Sequence, residues 1–140
     1  GLAALRIGLC YASMDIIDLF NKVKPPYNIN EASQELAMEA LQNIEQVNNW
    51  ITEVVAERAL LEMKLSRLSF VENIYESDAN FILIKVKDAD ALYTFLTDKG
   101  IVVRNRSKEV LCENCLRITV GTPDENELLI NTLELIEGNQ

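Results

Sequence analysis

The chain has 140 residues, a formal charge of −9 and 49% hydrophobic residues. This composition is typical of one folded domain rather than a disordered chain. The negative charge argues against binding to nucleic acid or to an anionic membrane surface, and no apolar run is long enough to span a bilayer. Because the sequence contains no histidine, Ser–His and Cys–His catalytic sites and His-ligated zinc are excluded.

The cysteines indicate a reducing compartment, taken here as the cytoplasm. There are three, an odd number, in an acidic chain that begins at Gly1 without a Met or a secretory leader. This start also indicates a piece of a longer protein. Cys112 and Cys115 form a single CxxC motif, for which an ordinary loop is the favoured interpretation and a metal or redox role the alternative. A zinc site would need Cys10 and a carboxylate to complete four ligands.

The first predicted elements are a strand and a short helix. Residues 5–12 are apolar on both faces, which predicts a strand, and residues 14–23 have helical apolar spacing. The helix should end at Lys24, because a residue that precedes proline is pushed out of the α region.

Two helices are predicted next. Asn28 or Asn30 can cap the first of them. The polar pair Asn48–Asn49 is the weakest point of the apolar stripe, so a break is expected at about 43–49 and a second helix over 49–68.

The rest of the chain alternates between strands and helices. A capped helix is expected from Asp88 to Lys99, with Gly100 just beyond its end, and Thr122–Glu125 forms a capping box for a last helix that runs to about 137. An α+β fold is therefore predicted, a mainly antiparallel sheet with packed helices, and its strands are 70–75, 79–86, 101–104 and 116–120.

Two arginines are candidates for an anion site. If strands 101–104 and 116–120 pair, Arg104 and Arg117 share one face of the sheet. Arginine suits bidentate capture of carboxylate or phosphate. The alternative is that each arginine pairs with a surface carboxylate.

Five sequence blocks carry a family resemblance. In this order they resemble fold-type I pyridoxal-phosphate aminotransferases, and among these the histidinol-phosphate aminotransferases, over essentially the whole chain. The blocks are Gly1–Gly8, Lys24–Asn28, Ala79–Leu83, Gly100–Arg104 and Cys115–Thr122.

The resemblance implies roles for four residues. Arg6 matches the arginine that holds the phosphate of the cofactor, pyridoxal phosphate. Arg104 and Arg117 match the arginines that bind the anionic group of the substrate, which is the phosphate of histidinol phosphate or a carboxylate of glutamate or 2-oxoglutarate. Tyr27 matches a tyrosine near the active site.

The resemblance also implies a domain organisation. Residues 1–27 would end the large cofactor-binding domain and form a linker, and residues 28–140 would be the small C-terminal domain. The Schiff-base lysine of the family precedes the block at Gly1. The isolated chain should therefore be inactive and hold no cofactor, whereas the full-length protein would be a homodimeric enzyme of histidine biosynthesis.

Two alternatives remain open at this point. One is another fold-type I enzyme, an aminotransferase for aromatic substrates or a decarboxylase for a phosphorylated amino acid. The other is a stand-alone domain that binds a small anion.

Overall fold

The computed structural model describes residues 3–137 and divides into two compact units between Trp50 and Ile51. The division falls inside a helix, α3, which is Ile44–Leu65. The family-based boundary between residues 27 and 28 remains a prediction. Among the described residues, no helix is both long and apolar enough to cross a membrane.

The first unit is helical. A turn of 3-10 helix at Ala3–Leu5 is followed by α1, Met14–Val23, and α2, Glu31–Gln42. The strand predicted over 5–12 is wrong, because the described residues offer it no neighbouring strand to satisfy its backbone groups. Apolar composition alone cannot supply that partner.

The break between α2 and α3 occurs at Asn43, at the beginning of the predicted range. Asn30 caps α2 by accepting a hydrogen bond from the backbone N–H of Ser33 at 2.8 Å, which settles the choice between the two predicted caps. Asn48–Asn49 lies within α3, so its identification as the weakest point is wrong. The helical residues on either side outweigh the low propensity of two asparagines.

The second unit is built on a four-stranded sheet. Its strands are β1 Val71–Tyr75, β2 Phe81–Val86, β3 Arg104–Asn105 and β4 Cys115–Thr119. The spatial order is β1-β2-β4-β3, and all three pairings are antiparallel, which confirms the predicted α+β fold. Helix α4, Ala89–Asp98, connects β2 to β3, and α5, Pro123–Glu137, follows β4.

Helices cover one face of this sheet. Alternate residues of β2 and β4 point to that face and form one buried cluster with α3, α4 and α5. Its largest fully buried side chains are Leu61, Leu65, Ile82, Ile84, Val86, Leu96, Leu116 and Leu133. The opposite face carries the arginines.

The end of α4 explains why β3 is shorter than the predicted strand 101–104. Gly100 has a φ of +80°, and its N–H donates to Thr97 O, while the N–H of Ile101 donates to Leu96 O. This is a Schellman motif, which commits these backbone groups to the helix end. The ladder with β4 therefore begins only at Arg104.

The predicted capping box at α5 is confirmed. The backbone N–H and the hydroxyl of Thr122 both donate to Glu125 Oε2, at 2.8 and 3.0 Å. The N–H of Glu125 donates back to Thr122 Oγ1 at 3.4 Å. Gly121 lies against this box: a Cβ added there would come within 2.8 Å of Glu125 Oε2 and 2.9 Å of Glu125 Cβ.

Substituting Gly121→Ala is expected to disrupt the box and lower the free energy of unfolding by about 1–2 kcal/mol, since both the cap and its contact must shift. Gly8→Ala is the matched control, because a Cβ there would meet nothing within 4 Å. Urea denaturation measures both variants. Equal stability of the two variants would contradict the expectation.

Glu125 also makes this cap sensitive to pH. Hydrogen bonds from the backbone N–H and then the hydroxyl of Thr122 hold the pKa of Glu125 below its ordinary value of 4.5. A lowered folded-state pKa stabilises the fold fully above the ordinary pKa, and the contribution is lost as pH falls through the folded-state pKa. We expect the wild type to exceed Glu125→Gln in unfolding free energy at neutral pH and the gap to close in acid. A pH-independent gap in urea titrations would refute this.

Candidate anion-binding site

One row of side chains crosses the face of the sheet opposite the helices. Tyr75, Leu83, Arg117 and Arg104 are successive cross-strand neighbours on β1, β2, β4 and β3. The two arginines share one face of the sheet, as expected. They are also directly opposite each other on β3 and β4, which alternation along each strand does not by itself require. Like charges placed this way repel unless an anion lies between them.

Arg117 is held in place by an aromatic ring and has an unused donor. Its Cζ lies 5.0 Å from the ring centroid of Phe81, a cation–π contact. Its Nε is buried and has no hydrogen-bond partner among the described residues. Buried polar atoms are nearly always paired, so this Nε keeps a donor that no described residue uses.

Arg104 is exposed, and neither arginine forms an ion pair within residues 3–137. The ion pairs of the described residues are Arg58–Glu62 at 4.0 Å and Arg106–Glu109 at 3.2 Å. The alternative of surface carboxylate partners for Arg104 and Arg117 is therefore not supported.

A cleft of about 580 Å³ opens beside the two arginines, large enough for a small substrate. Its wall comes from α4, the segment around β3, and β4, and consists of Tyr93, Val102, Val103, Arg104, Asn105, Arg106, Arg117 and Thr119. Asn105 Nδ2 donates to Asp90 Oδ1 at 2.6 Å, which ties β3 to α4. Sequence reasoning missed Phe81, Tyr93 and Asn105, because strand register places Phe81 and Asn105 here and the packing of α4 against the sheet places Tyr93.

Arg6 and Tyr27 lie in the first unit. Arg6 follows the 3-10 turn with a φ of +59°, and its N–H donates to Ala3 O at 3.2 Å. Its side chain is exposed and has no carboxylate partner among the described residues, so it is available for an anion. Tyr27 is 97% exposed.

The CxxC motif lies at the start of β4. Cys112 and Cys115 are free thiols, and no group of three or more potential metal ligands occurs within the described part of the chain. Burial raises the pKa of the Cys115 thiol, and the Tyr75 hydroxyl and the Lys85 ammonium partly offset this. Because the described residues contain no such group of ligands, the zinc alternative is not supported.

The second unit is thus an antiparallel sheet with helices on one face and the cross-strand pair Arg104–Arg117 on the other. The chain belongs to the aminotransferase class I and II family, whose sequence pattern matches residues 1–133. This agrees with the resemblance carried by the five sequence blocks.

Two similar proteins are histidinol-phosphate aminotransferases. The chain is 53% identical over 135 residues to the histidinol-phosphate aminotransferase of Flavobacterium psychrophilum, covering 96% of this chain and 39% of that protein. The crystal structure of the histidinol-phosphate aminotransferase from Clostridium acetobutylicum superposes with a TM-score of 0.80 at 21% identity, covering 90% of this chain and 39% of that one. The chain thus spans about 39% of the length of these relatives.

A decarboxylase has a related fold. L-threonine-O-3-phosphate decarboxylase from Porphyromonas gingivalis superposes with a TM-score of 0.71 at 25% identity, covering 91% of this chain and 40% of that structure.

Proposed function

We propose that this chain is the C-terminal part of a histidinol-phosphate aminotransferase, which transfers an amino group between histidinol phosphate and 2-oxoglutarate in histidine biosynthesis. The observation that carries the proposal is the cross-strand pair Arg104–Arg117, which has no ion-pair partner among the described residues. The buried Nε of Arg117 likewise has no hydrogen-bond partner among them. Two guanidiniums in this arrangement suit a phosphate dianion, and the 53% identity to a curated relative supports the substrate assignment.

In this proposal Arg117 makes the main contact with the substrate phosphate, and Arg104 makes a second one. Phe81 orients the Arg117 guanidinium, so little side-chain entropy is lost when an anion binds. Arg104, being exposed, adds charge from the opposite strand. The anchored phosphate would orient the substrate and so lower the barrier by positioning.

Arg6 is proposed to hold the phosphate of pyridoxal phosphate. Its exposed guanidinium, free of carboxylates among the described residues, suits that dianion. When bound, the cofactor supplies the electron sink for the reaction. Tyr27 is proposed to lie near the same centre.

The remaining assignments follow from the family. Residues 1–27 would complete the large cofactor-binding domain and a linker, and residues 28–140 would form the small domain of a homodimeric enzyme. Free Cys10, Cys112 and Cys115 fit a cytoplasmic protein.

A phospho-amino-acid decarboxylase is the second candidate, supported by the fold similarity to L-threonine-O-3-phosphate decarboxylase. Both named substrates carry a phosphate ester, so the arginine pair would serve either enzyme. Assays of the full-length protein distinguish the two, since the first forms glutamate from 2-oxoglutarate and the second releases carbon dioxide.

The 140-residue chain alone is expected not to transaminate and not to bind pyridoxal phosphate covalently, because none of its lysines matches the Schiff-base lysine of the family. Absorbance titration with the cofactor, then borohydride reduction and peptide mapping, tests this. Lys22 and Lys24 do not match that lysine, because they follow the Arg6 block instead of preceding it. A stoichiometric adduct on one specific lysine would contradict the expectation.

A further inference from the structure

The loop between β3 and β4 is a series of backbone turns closed at its base. Successive hydrogen bonds run from Glu109 N to Arg106 O, from Cys112 N to Glu109 O and from Cys115 N to Cys112 O, at 2.9, 3.1 and 3.0 Å. The N–H of Arg106 donates to Cys115 O at 2.8 Å and closes the loop. The CxxC motif therefore forms the last turn of the loop that begins at Arg106, in the wall of the cleft that contains Arg104 and Arg117 (the arginine cleft).

The last turn brings the two cysteines within disulfide range. The 3.0 Å bond between Cys115 N and Cys112 O defines a β-turn, whose first and fourth Cα atoms lie less than about 7 Å apart. Disulfides join Cα atoms about 4.4–6.8 Å apart. Asn114, at a φ of +56°, holds the turn in place, because its carbonyl accepts from Val86 N at 2.9 Å.

The two thiols differ in access. Cys112 is half-buried, so a small reagent can reach it, whereas Cys115 has 0% exposure. Burial and the Cys112 thiol raise the pKa of Cys115, and its Sγ donates to Glu113 O at 3.6 Å, whereas the Tyr75 hydroxyl and the Lys85 ammonium favour its thiolate. This is the arrangement of an attacking thiol and a resolving thiol.

We propose that Cys112 and Cys115 form a reversible intramolecular disulfide when the protein meets a small disulfide oxidant such as glutathione disulfide. The Cys112 thiolate attacks one sulfur of glutathione disulfide, which forms a mixed disulfide and releases one glutathione. Cys115 gives its proton to solvent, and its thiolate attacks Cys112 Sγ and releases the second glutathione. Two cysteine thiols are oxidised, and one glutathione disulfide is reduced to two glutathiones.

The experiment incubates the 140-residue chain with glutathione disulfide, quenches it in acid, and maps the peptides by mass spectrometry. The expected product is a peptide that contains the Cys112–Cys115 disulfide. Its mass should be lower than that of the dithiol by two hydrogens, and reduction should restore the dithiol mass. Cys10→Ser is the matched control, since Cys10 is the third thiol and is exposed, and it should leave the product unchanged.

Two further variants test the order of attack. Cys115→Ala should stop at one glutathione on Cys112, and Cys112→Ser should leave Cys115 unmodified because it is buried. A wild type that accumulates the same glutathione adduct as Cys115→Ala would overturn the proposal, and so would disulfides that link Cys112 or Cys115 of separate chains in the Cys10→Ser variant.

The equilibrium constant for disulfide formation shows whether the fold, rather than the CxxC spacing alone, favours the Cys112–Cys115 bond. Because the turn is hydrogen-bonded at both ends, the constant for disulfide formation should be at least about tenfold larger in the native chain than in concentrated guanidinium chloride. Equal constants would show that the fold contributes nothing and would refute the proposal.

Discussion

Replacing Arg117 by Ala in the full-length enzyme is expected to lower kcat/KM for histidinol phosphate by about ten- to a hundredfold. In the proposed site, the substitution would remove a charge-assisted contact between the arginine and the substrate phosphate, worth about 1.5–3 kcal/mol. Arg117→Lys should recover only part of the loss, because an ammonium cannot reproduce the guanidinium fork or its stacking on Phe81. Steady-state kinetics measures all three proteins.

Arg104→Ala should show a loss of the same kind, since Arg104 lies directly opposite Arg117. Arg67→Ala is a suitable control, because Arg67 lies outside the arginine cleft, near the end of α3. A purely structural role would instead lower the melting temperature and leave kcat/KM of the folded enzyme unchanged. Kinetics and thermal denaturation of the same preparations separate these outcomes.

Asn126→Asp is expected to cause the largest loss of stability, about 3–4 kcal/mol at neutral pH. The Asn126 amide is buried, and its Nδ2 donates to Glu57 Oε2 at 2.8 Å and to Gly121 O at 3.1 Å. Its Oδ1 accepts from Gly121 N at 3.0 Å. An aspartate would remove both donors and place a buried negative charge against Glu57 and a carbonyl oxygen.

Asn131→Asp is the matched control, because Asn131 is an exposed asparagine on the same helix, and its substitution should cost a few tenths of a kcal/mol. Urea denaturation compares the two variants. The loss in Asn126→Asp should shrink in acid as the new carboxyl is protonated. Losses within about 1 kcal/mol of each other would contradict the proposed role of the buried amide.

The elements that the sequence predicted well have local signals at their ends. Asp88 caps α4 by accepting from the N–H of Ala91 at 2.9 Å, and Thr122 caps α5. Asn30 does the same for α2. These caps are side-chain-to-backbone contacts within three residues, so the local sequence is enough to identify them.

The errors arise where backbone hydrogen-bond partners, which an apolar pattern does not reveal, decide the structure. A strand at 5–12 needs a neighbouring strand, which composition cannot guarantee. The shortening of β3 follows from the Schellman bonds of Gly100 and Ile101, which take backbone groups that a strand would use. In both segments apolar composition alone did not determine whether a strand forms.

The candidate site was only partly predictable for the same reason. Alternation along β4 predicted that Arg104 and Arg117 would share a face, but the contact of Phe81 with Arg117 depends on the register between β2 and β4. The bond between Asn126 and Glu57 joins residues 69 apart in sequence. A local sequence pattern cannot predict a hydrogen bond over that distance in sequence.

The most direct test of the arginine site compares two substrates that differ only in the phosphate. The ratio of kcat/KM for histidinol phosphate to that for histidinol is measured in the full-length wild type and in the Arg117→Ala variant. If Arg117 binds the phosphate, the substitution should lower this ratio by about ten- to a hundredfold, because histidinol has no phosphate to lose from the site. A ratio that stays the same in the folded variant would contradict the proposal that the Arg104–Arg117 pair binds the substrate phosphate.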